Sequence, residues 1–236
     1  AKLIAYAASF GIDKWAYSKK ETRFCTQKLK EFTAVSVRED SGMELCKRQL
    51  NHTAEHCLDP TMLLTPADYR ALIGEGGAEK YTNKITAFIL DRSDDKLAAL
   101  KKVSKVLAMD YNFAATETED RLAPLEKRIA PSVADWLKAM YYADFIFTDS
   151  FHGCVFSILF NKPFVLYVNR NRGVARFESL LKLFKIENRT LSDSNGLESC
   201  PIRQSIDWKP INAKLEEMRS KSMCFLENAL TARDEQ

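Results

Sequence analysis

Residues 145–165 read FIFTDSFHGCVFSILFNKPFV. Phe145 to Phe147 make a short aromatic strand, and Thr148-Asp149-Ser150 make a polar turn. An apolar helix follows with His152 in its first turn, and the strand Phe164 to Val168 comes after it. Strand, polar elbow and helix start, in that order, form the unit from which open α/β sheets are built, and ligands gather at its carboxyl edge. The amides of a helix start also attract anions. A chain carrying this unit is expected to fold as α/β.

The rest of the chain keeps the same alternation. Leu3 to Ser9 reads as a buried strand ended by Gly11. Lys19 to Phe32 has helical periodicity with Phe24, Leu29 and Phe32 as inward candidates. Ala34 to Val37 is a strand. Ser41 caps the next helix, with Glu44 completing a capping box, and that helix carries Met43, Leu45, Cys46 and Leu50. His56-Cys57-Leu58 is a brief strand closed by Asp59-Pro60, so the series is β-α-β-α-β and its sheet is parallel. Gly74, Gly76 and Gly77, after Pro66, read as a linker.

A second series follows: a strand over Lys84 to Leu90, a helix over Asp94 to Leu107, and a strand over Tyr111 to Ala115. Thr116 to Arg128 is polar and irregular. A helix over Val133 to Tyr142 then leads into the elbow. Helices over Arg176 to Phe184 and Ile211 to Leu230 complete the chain. The expected division is 1–72 for a first Rossmann-like domain, 73–80 for a linker, 81–205 for a second Rossmann-like domain with the candidate site at the elbow, and 206–236 for a helix packing back across both.

Composition removes several classes of function. Net charge is +3 with no long basic run, which gives nucleic-acid binding little support. The longest apolar segment, ended by Asn161 and Lys162, is too short to span a membrane. Ala1 to Tyr6 reads as a strand and not as a signal peptide. None of the six cysteines forms a CxxC pair or a zinc spacing with histidine. A reduced, cytoplasmic protein without a structural metal is expected.

Several residues are candidates for chemistry. Imidazole titrates near neutral pH, so His152 is the candidate for proton transfer. A helix start favours its neutral form, whereas Asp149 or a bound phosphate favours the charged form. Base, acid and phosphate donor stay open, as does a core histidine satisfying a turn. Arg38 follows a buried strand and is suited to a carboxylate or phosphate, or else to a salt bridge; Asp59 is placed to orient it. Glu39 is a binding or a capping residue. Ser150 caps the helix or bonds a phosphate. Gly153 admits a ligand to the backbone or packs the helix on the sheet. Arg176 adds charge to a pocket or is solvated. Ser9 and Gly11 line a cleft or make a tight turn, and Arg170 and Arg172 form a basic loop. His52 and His56 are ordinary.

Taken together, Tyr6 to Gly11, Val35 to Glu39 with Ser41-Gly42, Leu58 to Leu64, Asp149 to Gly153, Arg176-Phe177 with Leu180-Leu181, and Arg189 resemble the polysaccharide pyruvyl transferase family in their order. The resemblance implies a GT-B-like pair of Rossmann-like units facing across a cleft, the first incomplete in this chain. It implies transfer of a pyruvyl group from phosphoenolpyruvate to hydroxyls of a polysaccharide or lipid-linked glycan, as a ketal with release of phosphate. No cofactor is implied beyond phosphoenolpyruvate as donor. His152 and Arg38 would be catalytic, and Ser150, Phe151, Gly153, Arg176, Glu39 and Ser9 substrate-binding. The location would be cytoplasmic, at the inner face of the membrane. The alternatives are a GT-B-like glycosyltransferase using a nucleotide sugar and a non-catalytic binding fragment.

Overall fold

Short apolar runs alternating with amphipathic stretches fold into two parallel sheets. A computed structural model describes residues 2–116, 122, 124–169 and 173–232. In chain order the elements are β1 (Ile4–Ala8), α1 (Lys19–Leu29), β2 (Ala34–Val37), α2 (Asp40–Leu50), β3 (Glu55–His56), α3 (Pro66–Ile73), β4 (Lys84–Phe88), α4 (Asp94–Leu107) and β5 (Asp110–Phe113). They continue as α5 (Leu125–Arg128), α6 (Val133–Tyr142), β6 (Phe145–Thr148), α7 (Phe151–Leu159), β7 (Phe164–Tyr167), α8 (Val174–Phe184), β8 (Thr190–Leu191) and α9 (Trp208–Thr231). Unit 1 comprises Ala1–Leu64, Arg170–Lys185 and Lys209–Gln236; unit 2 comprises Thr65–Asn169 and Ile186–Trp208.

Unit 1 holds the parallel sheet β1-β2-β3. Cys25, Leu29 and Phe32 pack with Val35, Val37, Cys46 and Leu50. Phe24 is not part of that face and is 60% exposed. At 100° per residue the inward stripe runs through 25, 29 and 32, so residue 24 points a third of a turn away. The cap of α2 also differs from expectation. The helix begins at Asp40, with Glu39 at the N-cap making no side-chain cap bond. Ser41 lies inside the first turn, its amide taken by the Asp40 carboxylate at 2.8 Å. Glu44 pairs instead with Arg48.

The end of β1 carries a bulge: register with β2 shifts between Ala5 and Ala8, and buried Ala7 sits at φ +46°. The twist turns the Ala7 amide onto Ser36 Oγ at 2.8 Å and its carbonyl towards the end of β2. From the far end of the chain, α9 backs this sheet. Ser222 Oγ accepts the Leu58 amide, Arg219 Nε donates to the Met62 carbonyl at 2.9 Å, and Phe225 packs on Ala7 and Cys57.

Unit 2 holds a five-stranded parallel sheet of order β5-β4-β6-β7-β8. The chain steps outward from β4 to β5, then returns past β4 to lay down β6, β7 and β8. The order therefore reverses between β4 and β6, and the crevice at their carboxyl ends is where a doubly wound sheet binds ligands. Ile85, Ala87, Phe145, Phe147 and Val165 form the core with Leu100 and Val103 of α4. A helix that the sequence reading did not mark stands just before the predicted linker. Thr65 and Asp68 form a reciprocal capping box with Pro66 at the first helical position, so α3 precedes the glycines. Its Tyr69 meets Phe156 of α7 edge-on, 5.1 Å between centroids. Of the segment read as irregular, Leu125–Arg128 forms one helical turn, and 117–121 and 123 lie outside the described residues.

Candidate active site

The elbow after β6 is fixed from beneath. Asp149 is completely buried, and its Oδ1 accepts the Leu90 amide at 2.7 Å. Its Oδ2 accepts the Asp91 amide at 3.2 Å, Lys96 Nζ at 2.7 Å and Asn169 Nδ2 at 3.2 Å. The donors come from the β4–α4 crossover and from the end of β7, so one carboxylate ties two crossovers to the switch point. A lone buried carboxylate would be costly; the Lys96 charge and the amide donors offset that cost.

Thr148 locks the next turn. Its hydroxyl donates to the Phe88 carbonyl at 2.7 Å and accepts the Ser150 amide at 3.0 Å. A Cβ on Gly153 would lie 2.1 Å from Thr148 Oγ1. Gly153 therefore lets the first turn of α7 lie directly on the end of β6, which is the packing alternative of the two. Ser150 occupies the N-cap without a side-chain cap bond, so the capping reading does not hold. Phe151 is buried, and His152 beside it is exposed, with their rings 5.5 Å apart. The outcome is an outward imidazole on the first turn of a nine-residue helix, at the sheet's switch point.

In unit 1, Arg38 lies at the corresponding edge, just past β2. Its Nε donates to the Ala7 carbonyl at 2.8 Å and its Nη1 to Asp59 Oδ2 at 2.5 Å. The left-handed turn at Ala7 is what presents that carbonyl. Asp59 is fixed in turn by the Thr61 amide and hydroxyl on Oδ1. Asp59 orients Arg38, as its position in the sequence suggests. The Arg38 carbonyl accepts from His56 Nε2 at 3.1 Å, which places the proton on that nitrogen. Burial pushes the His56 pKa below its ordinary value.

Ser9 and Glu39 meet, the hydroxyl donating to Glu39 Oε1. Arg176 stands at the start of α8, where Gly11 and Gly173 come together: a Cβ on Gly173 would lie 2.8 Å from the Gly11 carbonyl and 3.1 Å from the Arg176 guanidinium. Both glycines have positive φ, so this approach requires them. Ser9, Arg38, Glu39 and Arg176 thus belong to unit 1, and Ser150, Phe151, His152 and Gly153 to unit 2. Arg170 and Arg172 lie outside the described residues. Arg189 is buried and braces a loop by donating to the Pro201 and Gln204 carbonyls.

Lys96 and Asn169 were missed by sequence reasoning. A signal for Lys96 exists, because it shares the stripe of Ala99, Leu100 and Val103 at helical spacing, where a cation must find a buried partner. All six cysteines are free thiols, and burial raises the pKa of Cys154. Among the described residues no helix is long and apolar enough to cross a membrane. The family model of polysaccharide pyruvyl transferase matches residues 1–171, which takes in Ser9, Arg38, Glu39 and the whole elbow; Arg176 lies beyond it. No curated protein matches the chain.

Proposed function

The chain belongs to the polysaccharide pyruvyl transferase family, and on that basis we propose that it moves the pyruvyl group of phosphoenolpyruvate onto two hydroxyls of a polysaccharide or its lipid-linked precursor. The product is a cyclic ketal, and phosphate leaves. The observation that carries this reading is His152, an exposed imidazole on an elbow that Asp149 and Thr148 hold rigid.

Phosphoenolpyruvate is an electron-rich alkene with a carboxylate and a phosphate. Protonation of its methylene carbon makes the phosphate-bearing carbon electrophilic. One sugar hydroxyl adds there, and the second forms another C–O bond as the bond to phosphate breaks. Of the two hydroxyl protons, one equivalent ends on the new methyl group and the other leaves with hydrogen phosphate. His152 is assigned the proton delivered to the methylene. Arg38 is assigned the donor's negative charge, which its planar fork suits. Ser150, Phe151 and Gly153 contribute the helix start that draws an anion, with Arg176 adding charge and Glu39 and Ser9 contacting substrate. The two Rossmann-like units are read as a GT-B-like enzyme working in the cytoplasm, at the membrane face that presents the lipid-linked acceptor.

The test combines calorimetry, thermal shift and phosphate release with a panel of methyl hexosides as acceptors. Phosphoenolpyruvate binds and raises Tm, whereas UDP- and GDP-sugars do not. His152→Ala keeps donor binding and loses about 100-fold or more in turnover. Arg38→Lys keeps a cation beside Asp59 and weakens donor binding, because an ammonium cannot reproduce the fork. Stabilisation by nucleotide sugars and not by phosphoenolpyruvate overturns the reading in favour of a glycosyltransferase.

A further inference from the structure

Glu39 stands at the carboxyl edge of the three-stranded sheet, between β2 and α2, and is completely buried. It is the N-cap residue of α2, yet its side chain does not turn back to the helix amides. Oε1 accepts the Ser9 hydroxyl, and Oε2 is buried without a hydrogen-bond partner. The charges next to it in sequence are committed elsewhere: Arg38 pairs with Asp59, and Asp40 with Lys182 at 3.1 Å. Two residues on, Ser41 Oγ is likewise buried and without a partner.

Leaving a buried carboxylate oxygen unfilled costs about 1–3 kcal/mol or more, and such atoms in a folded protein call for an explanation. A carboxylate oxygen only accepts, and a serine hydroxyl both donates and accepts. The complement of the Glu39 oxygen is a hydrogen-bond donor such as a neutral alcohol. A phosphate or carboxylate ligand would be repelled by Glu39, so a neutral hydroxyl, the group an acceptor sugar carries, is the chemistry this oxygen complements.

We infer that Glu39, oriented by Ser9, is the base that takes the proton of the acceptor hydroxyl. This rests on the transferase reading above. Oε2 gains the proton as the sugar oxygen bonds to the phosphate-bearing carbon and the methylene carbon takes the proton of the general acid; Glu39 then gives its proton to solvent, from which that acid is reprotonated, so the cycle closes. In the second step the bond to phosphate breaks, and the second hydroxyl's proton departs with hydrogen phosphate.

The experiment compares wild type with Glu39→Gln, Glu39→Ala and Ser9→Ala, reading phosphoenolpyruvate affinity by calorimetry and turnover by phosphate release with the methyl hexoside panel. Glu39→Gln lowers kcat by about 100-fold or more and leaves donor affinity within about threefold of wild type. Added formate restores part of the rate to Glu39→Ala, a gain that a purely structural role would not give. Should both Glu39 variants fail to fold, Ser9→Ala decides. It keeps the carboxylate but loosens its aim, and kcat falls about tenfold at unchanged donor affinity. Wild-type rates in folded Glu39→Gln, or in Ser9→Ala, overturn the inference alone. A wild-type protein that neither binds phosphoenolpyruvate nor releases phosphate overturns the transferase reading, and this inference with it.

Discussion

Gly153 differs from alanine by one methyl group, and the elbow has no space for it. A Cβ there would stand 2.1 Å from Thr148 Oγ1 and 2.7 Å from Thr148 Cβ, neither of which lies on a flexible chain end. Gly153→Ala is expected to cost about 1–3 kcal/mol and to lower Tm. Gly196→Ala, where the nearest atom is 4.0 Å away, serves as a neutral control in the same melt. His56 makes a second residue-scale prediction. Burial lowers its folded pKa below 6.5, so between the two pKa values the unfolded chain binds more protons. The resulting stability is present above about pH 6.5 and is lost as pH falls through the lower folded value. The fall in Tm between pH 7.5 and 5 should be shallower in His56→Gln. His152 and Arg38 were legible as candidates because each follows the end of a strand that announces itself by its apolar residues. Lys96 was passed over although it lies on the apolar stripe of α4, because its partner Asp149 is 53 residues away in the chain.

The elements β6 and α7 form a hairpin-tight corner whose stability is set largely outside themselves, by α4 and the ends of β4 and β7. Lys96→Met would leave Asp149 buried without its cation, and a loss of about 3–5 kcal/mol is expected, seen as a lower urea midpoint. Adding Asp149→Asn to it should recover part of that loss, since the two residues form one network. Periodicity sufficed for α4, whose amphipathic stripe stands clear of its surroundings. It failed where a stronger local signal lay beside a weaker one. Three glycines concealed α3, although Thr65, Pro66 and Asp68 spell a helix start. Ser41 with Glu44 imitated a capping box that Asp40, one residue earlier, pre-empted. β8 has two residues and carries no pattern of its own; it exists because β7 offers it an edge.

Across the whole molecule the backbone passes between the two units four times, at the borders near residues 64, 169, 185 and 208. Composition marks places where a chain is loose, not which distant segments share a core, so the grouping of α8 with strands read far earlier could not be drawn from sequence. Removing residues 208–236 takes away Ser222, Arg219 and Phe225, which support β1 and β3. Such a truncation should let the amides of β1 and β2 exchange rapidly with deuterated water while those of β4, β6 and β7 stay protected. The same threading governs the order in which the protein can assemble as it is synthesised. Unit 2 has all its residues once Trp208 is made, whereas unit 1, although begun first, must wait for α9. A nascent chain would thus hold a finished His152 corner beside an unfinished partner, and that interval is when a chaperone would have most to protect.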